Sequence, residues 1–143
     1  MDNEASRRGR ANREKGIRFE RAIATKLRHA GFHVQRRSEV DGFACGSDLD
    51  LFAVLRPFTS DHPEVRYRLP VSIQLKSTDT DRDWDLAMLE AHRRPAKCFV
   101  AIHRYKRELR IAAEYDTPDG IYWTRLSWEE LVKLLWTFSP IKP

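Results

Sequence analysis

The chain has 143 residues, 41% of them hydrophobic, and a formal net charge of +5. That is the size and apolar content of one compact domain with one core, and a second domain is not expected. No run of about 18 apolar residues is available to cross a bilayer, and the opening segment MDNEASRRGRANREKG has no apolar stretch of the kind a secretory signal needs. The expectation is a cytoplasmic protein with no membrane partner. The two cysteines, Cys45 and Cys98, are too few for a disulfide framework or a tetrahedral zinc cage and should be free thiols.

The charge is unevenly placed. Met1 to Arg37 holds eleven Lys or Arg against four Asp or Glu. Such a segment attracts a polyanion and gives salt-sensitive binding to nucleic acid through counterion release; the plainer reading is a solvated tail and an ordinary helix surface.

Residues 1–12 carry almost no apolar content and read as a flexible basic arm, with the remaining residues 13–143 forming the domain. A helix is expected from Asn12 to Ala30, where Phe19, Ile23, Leu27 and Ala30 recur at helical spacing and Gly31 offers a left-handed terminus. Phe32 to Arg36 alternates as a short strand, and Ser38 to Ser47 reads as a loop. Leu49 to Leu55 (LDLFAVL) is apolar on both faces except at Asp50, as in the centre of a sheet. Arg56 to Pro70, with three prolines, reads as a long connection. In the strand Val71 to Lys76, Ser72, Gln74 and Lys76 share one face.

Trp84 to His92 reads as a helix that ends before Pro95. Cys98 to His103 and Leu109 to Ala113 follow as strands around a polar turn, Arg104 to Glu108. Ser127 with Glu130 forms a capping box for a last helix with Leu131, Leu134, Leu135 and Phe138 as its stripe. Trp128 and Trp136 read as core, although this much apolar area could also bury a dimer partner; His33 and His103 read as strand-surface residues. The predicted fold is a single α/β domain: a mixed central sheet of about five strands flanked by helices.

Asp50 needs an explanation, because an unpaired carboxylate inside an apolar strand is costly to bury and a bound metal would offset that cost. If the strands of Asp50 and Gln74 are neighbours, Asp50, Gln74 and Lys76 lie on one polar patch. Hard oxygen ligands beside a cation are what metal-assisted phosphodiester cleavage requires, with Lys76 orienting the attacking water and stabilising charge on the phosphate. Glu20, at the border of the first helix's buried stripe, could reach the same place. Each residue alone is more often structural than catalytic. No GxSxG elbow and no GxxxxGK[ST] phosphate loop is present, which sets those chemistries aside.

From about Lys15 onward the chain resembles the archaeal-type Holliday junction resolvases of the PD-(D/E)xK nuclease group. KGIRFERAIATKLRHAGFHVQRRSE is similar to that family's opening, LDLFAV to its acid-bearing strand, IQLK to its IEVK, and DWDLAMLEAHRR followed by CFVAI to its later elements. The resemblance implies a restriction-endonuclease-like fold and a homodimeric DNA endonuclease dependent on Mg2+, with Mn2+ as a substitute. Glu20 and Asp50 match its catalytic acids, Lys76 its catalytic lysine and Arg36 an arginine near the site. Gln74 departs from the pattern by replacing a second carboxylate with a neutral amide, a variant known among related nucleases. Asp48, or Glu39 or Asp41 from the loop, could restore the charge. The metal ligands implied are Asp50 and Gln74, with Asp48 and Glu20. Arg7, Arg8, Arg10, Arg13, Lys15, Arg36 and Arg37 are the candidate DNA contacts, although the arm arginines could equally keep a tail soluble. Two other readings keep less of the resemblance: a repair, restriction-like or mobile-element nuclease on the same core, and a DNA-binding module that has lost catalysis.

Overall fold

The computed structural model describes residues 3–36, 47–77, 82–92 and 95–142. Helix α1 spans Asn3–His29. Its start lies well before the Asn12 expected from apolar periodicity, so residues 3–12, read as an arm, are drawn as helix. Ser6 to Ala11 are all exposed, so nothing packs on this stretch. From Phe19 onward the expected stripe is in place: Phe19, Ile23, Ala24 and Leu27 are buried. The helix ends as its sequence demands. Gly31 has φ +102°, its N–H donates to the Arg28 carbonyl, and the Phe32 N–H donates to the Leu27 carbonyl. This paired pattern is a Schellman motif, with Phe32 closing on Leu27 in the core.

Among the described residues, seven strands and two further helices follow. They are β1 (His33–Arg36), β2 (Leu49–Arg56), β3 (Val65–Arg68), β4 (Val71–Lys76), α2 (Arg82–Ala91), β5 (Cys98–Tyr105), β6 (Glu108–Thr117), β7 (Gly120–Arg125) and α3 (Trp128–Thr137). The fold is α/β with one open mixed sheet, ordered β1-β2-β4-β5-β6-β7, in which β3 also pairs with β2. Among the described strands, β4 and β5 run parallel and the other pairs antiparallel. A parallel pair needs a crossover, and α2 supplies it.

The sheet is larger than the expected five strands. Β3 occupies part of the supposed connection Arg56 to Pro70; its four residues are all exposed, so no buried face marks it. The strand β6 runs on to Thr117, and β7 returns beside it through a two-residue turn at Pro118 and Asp119. The expected turn Arg104 to Glu108 is also tighter than its polar composition suggests. Tyr105 pairs with Glu108, leaving only Lys106 and Arg107 at the tip, with φ values of 46° and 68°.

Strand alternation gives the sheet two distinct faces. One carries Leu49, Leu51, Val71, Ile73, Cys98, Val100, Ile102 and Ile111, and packs with α1 and α3 in the main core. On α3, Leu131 and Leu135 are buried, and the Ser127–Glu130 capping box is formed in both directions. Those hydrogen bonds from Ser127 hold the Glu130 carboxyl below its usual range. Trp136 joins α3 to the end of α1: it stacks on Phe32 at 4.3 Å between centroids and donates from Nε1 to the Ala30 carbonyl. Trp128 and Trp136 thus pack against the core, as expected. The other face is covered by α2, whose Ala87 and Ala91 are fully buried and let the helix sit close to β4 and β5. Cys98 is free and buried, and burial pushes its thiol up to about 12; Cys45 lies outside the described residues.

Candidate functional site

Strands β2 and β4 are neighbours, with Leu49 opposite Ile73. The segment just before β2 is fastened to β4 by three bonds. The Asp48 N–H donates to the Ile73 carbonyl at 2.7 Å, the Leu75 N–H donates to Asp48 Oδ2 at 2.8 Å, and the Ile73 N–H donates to the buried Ser47 hydroxyl at 3.1 Å. That lacing fixes the height of Asp50 relative to Gln74.

Alternation from the Leu49–Ile73 pair places Asp50, Gln74 and Lys76 on the face that looks toward α2. Two contacts confirm the direction for β4: the Ser72 hydroxyl donates to the Ala91 carbonyl, and Lys76 Nζ lies 3.0 Å from Glu90 Oε2, both groups on α2. Asp50 and Gln74 are 2% and 3% exposed. A carboxylate this deep requires a cation or strong hydrogen-bond donors. Arg68 Nη2 stands 3.7 Å from Asp50 Oδ2, but the Arg68 side chain is half exposed. Arg68 also lies over the Phe52 ring, 5.6 Å from its centroid. Gln35, opposite Asp50 on β1, shares this face as well.

Glu20 is placed differently. Its carboxylate meets Arg36 Nη1 at 3.5 Å, and both side chains are largely buried. Arg36 lies opposite Leu49, so it belongs to the α1 face of the sheet, the reverse of the face bearing Asp50. The sequence-derived set therefore falls into two groups: Asp50, Gln74 and Lys76 on one face, Glu20 with Arg36 on the other. Arg36 is 8% exposed and is engaged by a carboxylate, not presented on the surface for a phosphate. Asp48 sits beside the first group at the end of β4, with one carboxylate oxygen committed to the Leu75 N–H.

Arg7, Arg8, Arg10, Arg13 and Lys15 are all exposed along α1. Arg37, Glu39 and Asp41 lie outside the described residues. His33 is exposed as expected, whereas His103 is fully buried, contrary to the surface position its alternation suggested. It lies opposite Lys76 and stacks with Trp84 at 6.1 Å between centroids. The reason is coverage: the sheet has helices on both faces, so alternation cannot tell a strand's wet side from its second dry one.

Glu90 is the residue that sequence reasoning missed. Its signal was present in the helix pattern, since Ala87 and Ala91 mark a close-packed helical face and Glu90 lies three residues after Ala87 on its border.

The donors present suit a hard cation. Asp50 offers a carboxylate and Gln74 an amide oxygen, and a magnesium site commonly uses one or two carboxylates and keeps several waters. Among the described residues no group of three His, Cys, Asp or Glu side chains converges as a complete metal cage. A cation here would thus rest on a sparse protein donor set. Comparison of the sequence with models of known protein families and with curated proteins finds no match. Among the described residues, no helix is long and apolar enough to cross a membrane.

Proposed function

We propose that this chain is a divalent-metal-dependent phosphodiesterase acting on DNA. The particular reaction we assign is paired cleavage of four-way (Holliday) junctions by a homodimer, on a restriction-endonuclease-like core. The observation that carries the reading is the deep burial of Asp50 on the same sheet face as Gln74 and Lys76, from adjacent strands. The junction and the dimer rest on the resemblance in sequence and on symmetry: two cuts related by a two-fold axis call for two equivalent sites.

In this reading Asp50 and Gln74 hold Mg2+, or Mn2+ in its place, with Asp48 close by. When bound, the metal supplies a Lewis acid and lowers the pKa of a coordinated water. Lys76 supplies positive charge at the phosphate, where negative charge builds during attack. Glu90 holds the Lys76 ammonium in the absence of substrate. Arg68, half exposed beside Asp50, is suited to a phosphate oxygen. Glu20 with Arg36 supports the sheet from beneath through a largely buried ion pair.

One observation favours a second reading, a DNA-binding module without catalysis. Both charged groups of the site already have internal partners, Lys76 in Glu90 and Asp50 in Arg68. The deciding experiment is cleavage of a labelled four-way junction and a matched linear duplex, with Mg2+ or EDTA, by the parent and Asp50→Ala. Paired symmetric nicks in the junction alone, lost with EDTA and with the variant, support the resolvase. Equal cutting of both DNAs supports a repair, restriction-like or mobile-element nuclease, and binding without cutting supports the inactive module.

A further inference from the structure

A groove of about 700 Å³ lies between α1 and the β5–β6 turn, lined by Lys15, Arg18, Phe19, Ala22, Ser77, Arg104, Lys106 and Arg107. Five of these residues are cationic and none is acidic. Among the described residues, Lys15, Arg18, Arg104 and Arg107 have no carboxylate partner. All five cationic side chains are exposed. Such a concentration of like charge raises the energy of the folded chain and is relieved by a bound polyanion.

The turn supplies an independent observation. Lys106 and Arg107 are the two central residues of the tight β5–β6 hairpin and both have positive φ, 46° and 68°. That is the backbone of a type I′ turn, which strongly prefers Asn-Gly because side chains at both positions are strained. Here the strained positions carry the longest cations in the sequence alphabet. Strained backbone of this kind clusters at functional sites, which makes the turn a candidate for one.

The groove is continuous with the rest of α1's basic surface. Arg7 lies three helical turns before Arg18 and Arg8 lies two turns before Lys15, so the four share one side of the helix and extend the charge roughly 12 Å beyond the groove. At its other end, Ser77 directly follows Lys76 at the carboxyl end of β4. The groove opens on the α1 side of the sheet and Lys76 on the α2 side, so a nucleic-acid backbone crossing the ends of β4 and β5 meets both.

We infer that this groove, formed by Lys15, Arg18, Arg104, Lys106 and Arg107, binds the sugar-phosphate backbone of duplex DNA and leads it to the Lys76 edge of the sheet. The inference rests on the part of the proposed function that makes DNA the partner of this chain, not on its catalysis. It adds the surface that holds the DNA arm and a role for a turn that the catalytic set does not use. Contacts of this kind are to phosphates and carry no sequence preference.

The test is the salt dependence of binding to a short labelled linear duplex in EDTA, so that no cutting occurs, with Mg2+-dependent cleavage of both a four-way junction and that duplex measured separately on the same proteins. The first variant combines Lys106→Asn with Arg107→Gly, which removes two charges while giving the turn its preferred residues. The second combines Lys15→Ala with Arg18→Ala. A control combines Lys97→Gln with Lys133→Gln, two exposed lysines outside the groove. Each lost phosphate contact lowers the slope of log K against log salt by about 0.9, so each groove variant should lose roughly 2 from the slope while the control loses little. The turn variant should unfold at the same or a higher temperature than the parent, which separates lost contact from lost structure. DNA binding with unchanged slopes in both groove variants, or an equal fall in the control, would overturn the groove and leave the nuclease reading intact. A fall in slope without metal-dependent cutting would uphold the groove and remove the catalytic reading, whereas no binding by the parent at low salt would overturn both.

Discussion

Replacing Asp50 by Asn separates a metal-binding carboxylate from a structural one. Two unit charges about 4 Å apart attract by about 4 kcal/mol at an effective dielectric near 20, and Arg68 approaches Asp50 to 3.7 Å. Against this stands a desolvation cost of several kcal/mol for a carboxylate 2% exposed. The half-exposed Arg68 keeps most of its hydration in either case, so its attraction and the desolvation cost are of similar size and opposite sign. Asn keeps the shape and removes the charge. In EDTA, Asp50→Asn should therefore unfold within about 1 kcal/mol of the parent, as expected where the carboxylate's pairing and its burial offset one another. Mg2+ should then distinguish the two proteins. A site with a dissociation constant tenfold below the free Mg2+ concentration stabilises the native state by about 1.4 kcal/mol, a shift of about 0.7 M in a urea midpoint for a slope near 2 kcal/mol/M. The parent should show this shift and the variant none. A loss of about 3 kcal/mol or more in EDTA, the penalty for breaking a structural buried pair, or an equal Mg2+ shift in both proteins, would refute the reasoning.

Gly31→Ala should destabilise by about 2 kcal/mol in urea unfolding: the left-handed backbone penalises a side chain, and its Cβ would stand 3.0 Å from Cζ2 of Trp136. A midpoint equal to the parent's would mean that the α1–α3 junction is slack. Cys98, pushed up to about 12 from an ordinary 9.0, should react with a thiol reagent at pH 8 about a thousandfold more slowly in the native state than in urea, read by mass mapping of its peptide. Because its pKa is raised on folding, its contribution to stability is complete below pH 9 and declines as the pH rises from there toward 12.

The elements legible in the sequence were those with a local cause. Phe19, Ile23 and Leu27 at helical spacing, Gly31 at the helix end, and Ser127 with Glu130 each describe a structure held mainly by near neighbours. The strands β2 and β5 were legible as short, nearly continuous apolar runs, and β4 because Val71, Ile73 and Leu75 alternate with Ser72, Gln74 and Lys76. What escaped was set by distant parts of the chain. Β3 has no buried face, and its alternation of Val65 and Tyr67 with arginines reads as a polar loop until β2 is seen beside it. Β7 carried a usable signal, a Pro118-Asp119-Gly120 turn before β-prone residues, that the search for apolar alternation passed over. Within the candidate site, the common face of Gln74 and Lys76 was legible because one strand period fixes it, whereas Asp50 joins that face only through the β2–β4 pairing, which the sequence left as a condition. The sequence could not show that Arg36 pairs with Glu20 on the reverse face, because that depends on the β1–β2 register.

The Lys76–Glu90 pair joins the fold to the proposed chemistry. Ala87 and Ala91 bring α2 close to β4, and closeness makes a 3.0 Å contact available to Glu90. A phosphate approaching Lys76 must compete with that carboxylate, as a metal approaching Asp50 must compete with Arg68. Glu90→Gln removes the competitor without removing bulk. Both side chains are partly exposed, at 25% for Lys76 and 19% for Glu90, so the pair contributes no more than about 1 kcal/mol. Metal-free DNA binding by Glu90→Gln should accordingly tighten by up to about fivefold, measured by anisotropy at fixed salt. Lys76→Gln in the same background should abolish the gain. If Glu90→Gln binds no more tightly than the parent, or the gain survives loss of Lys76, then Glu90 does not hold Lys76 in reserve and the pair is only a tie between α2 and the sheet.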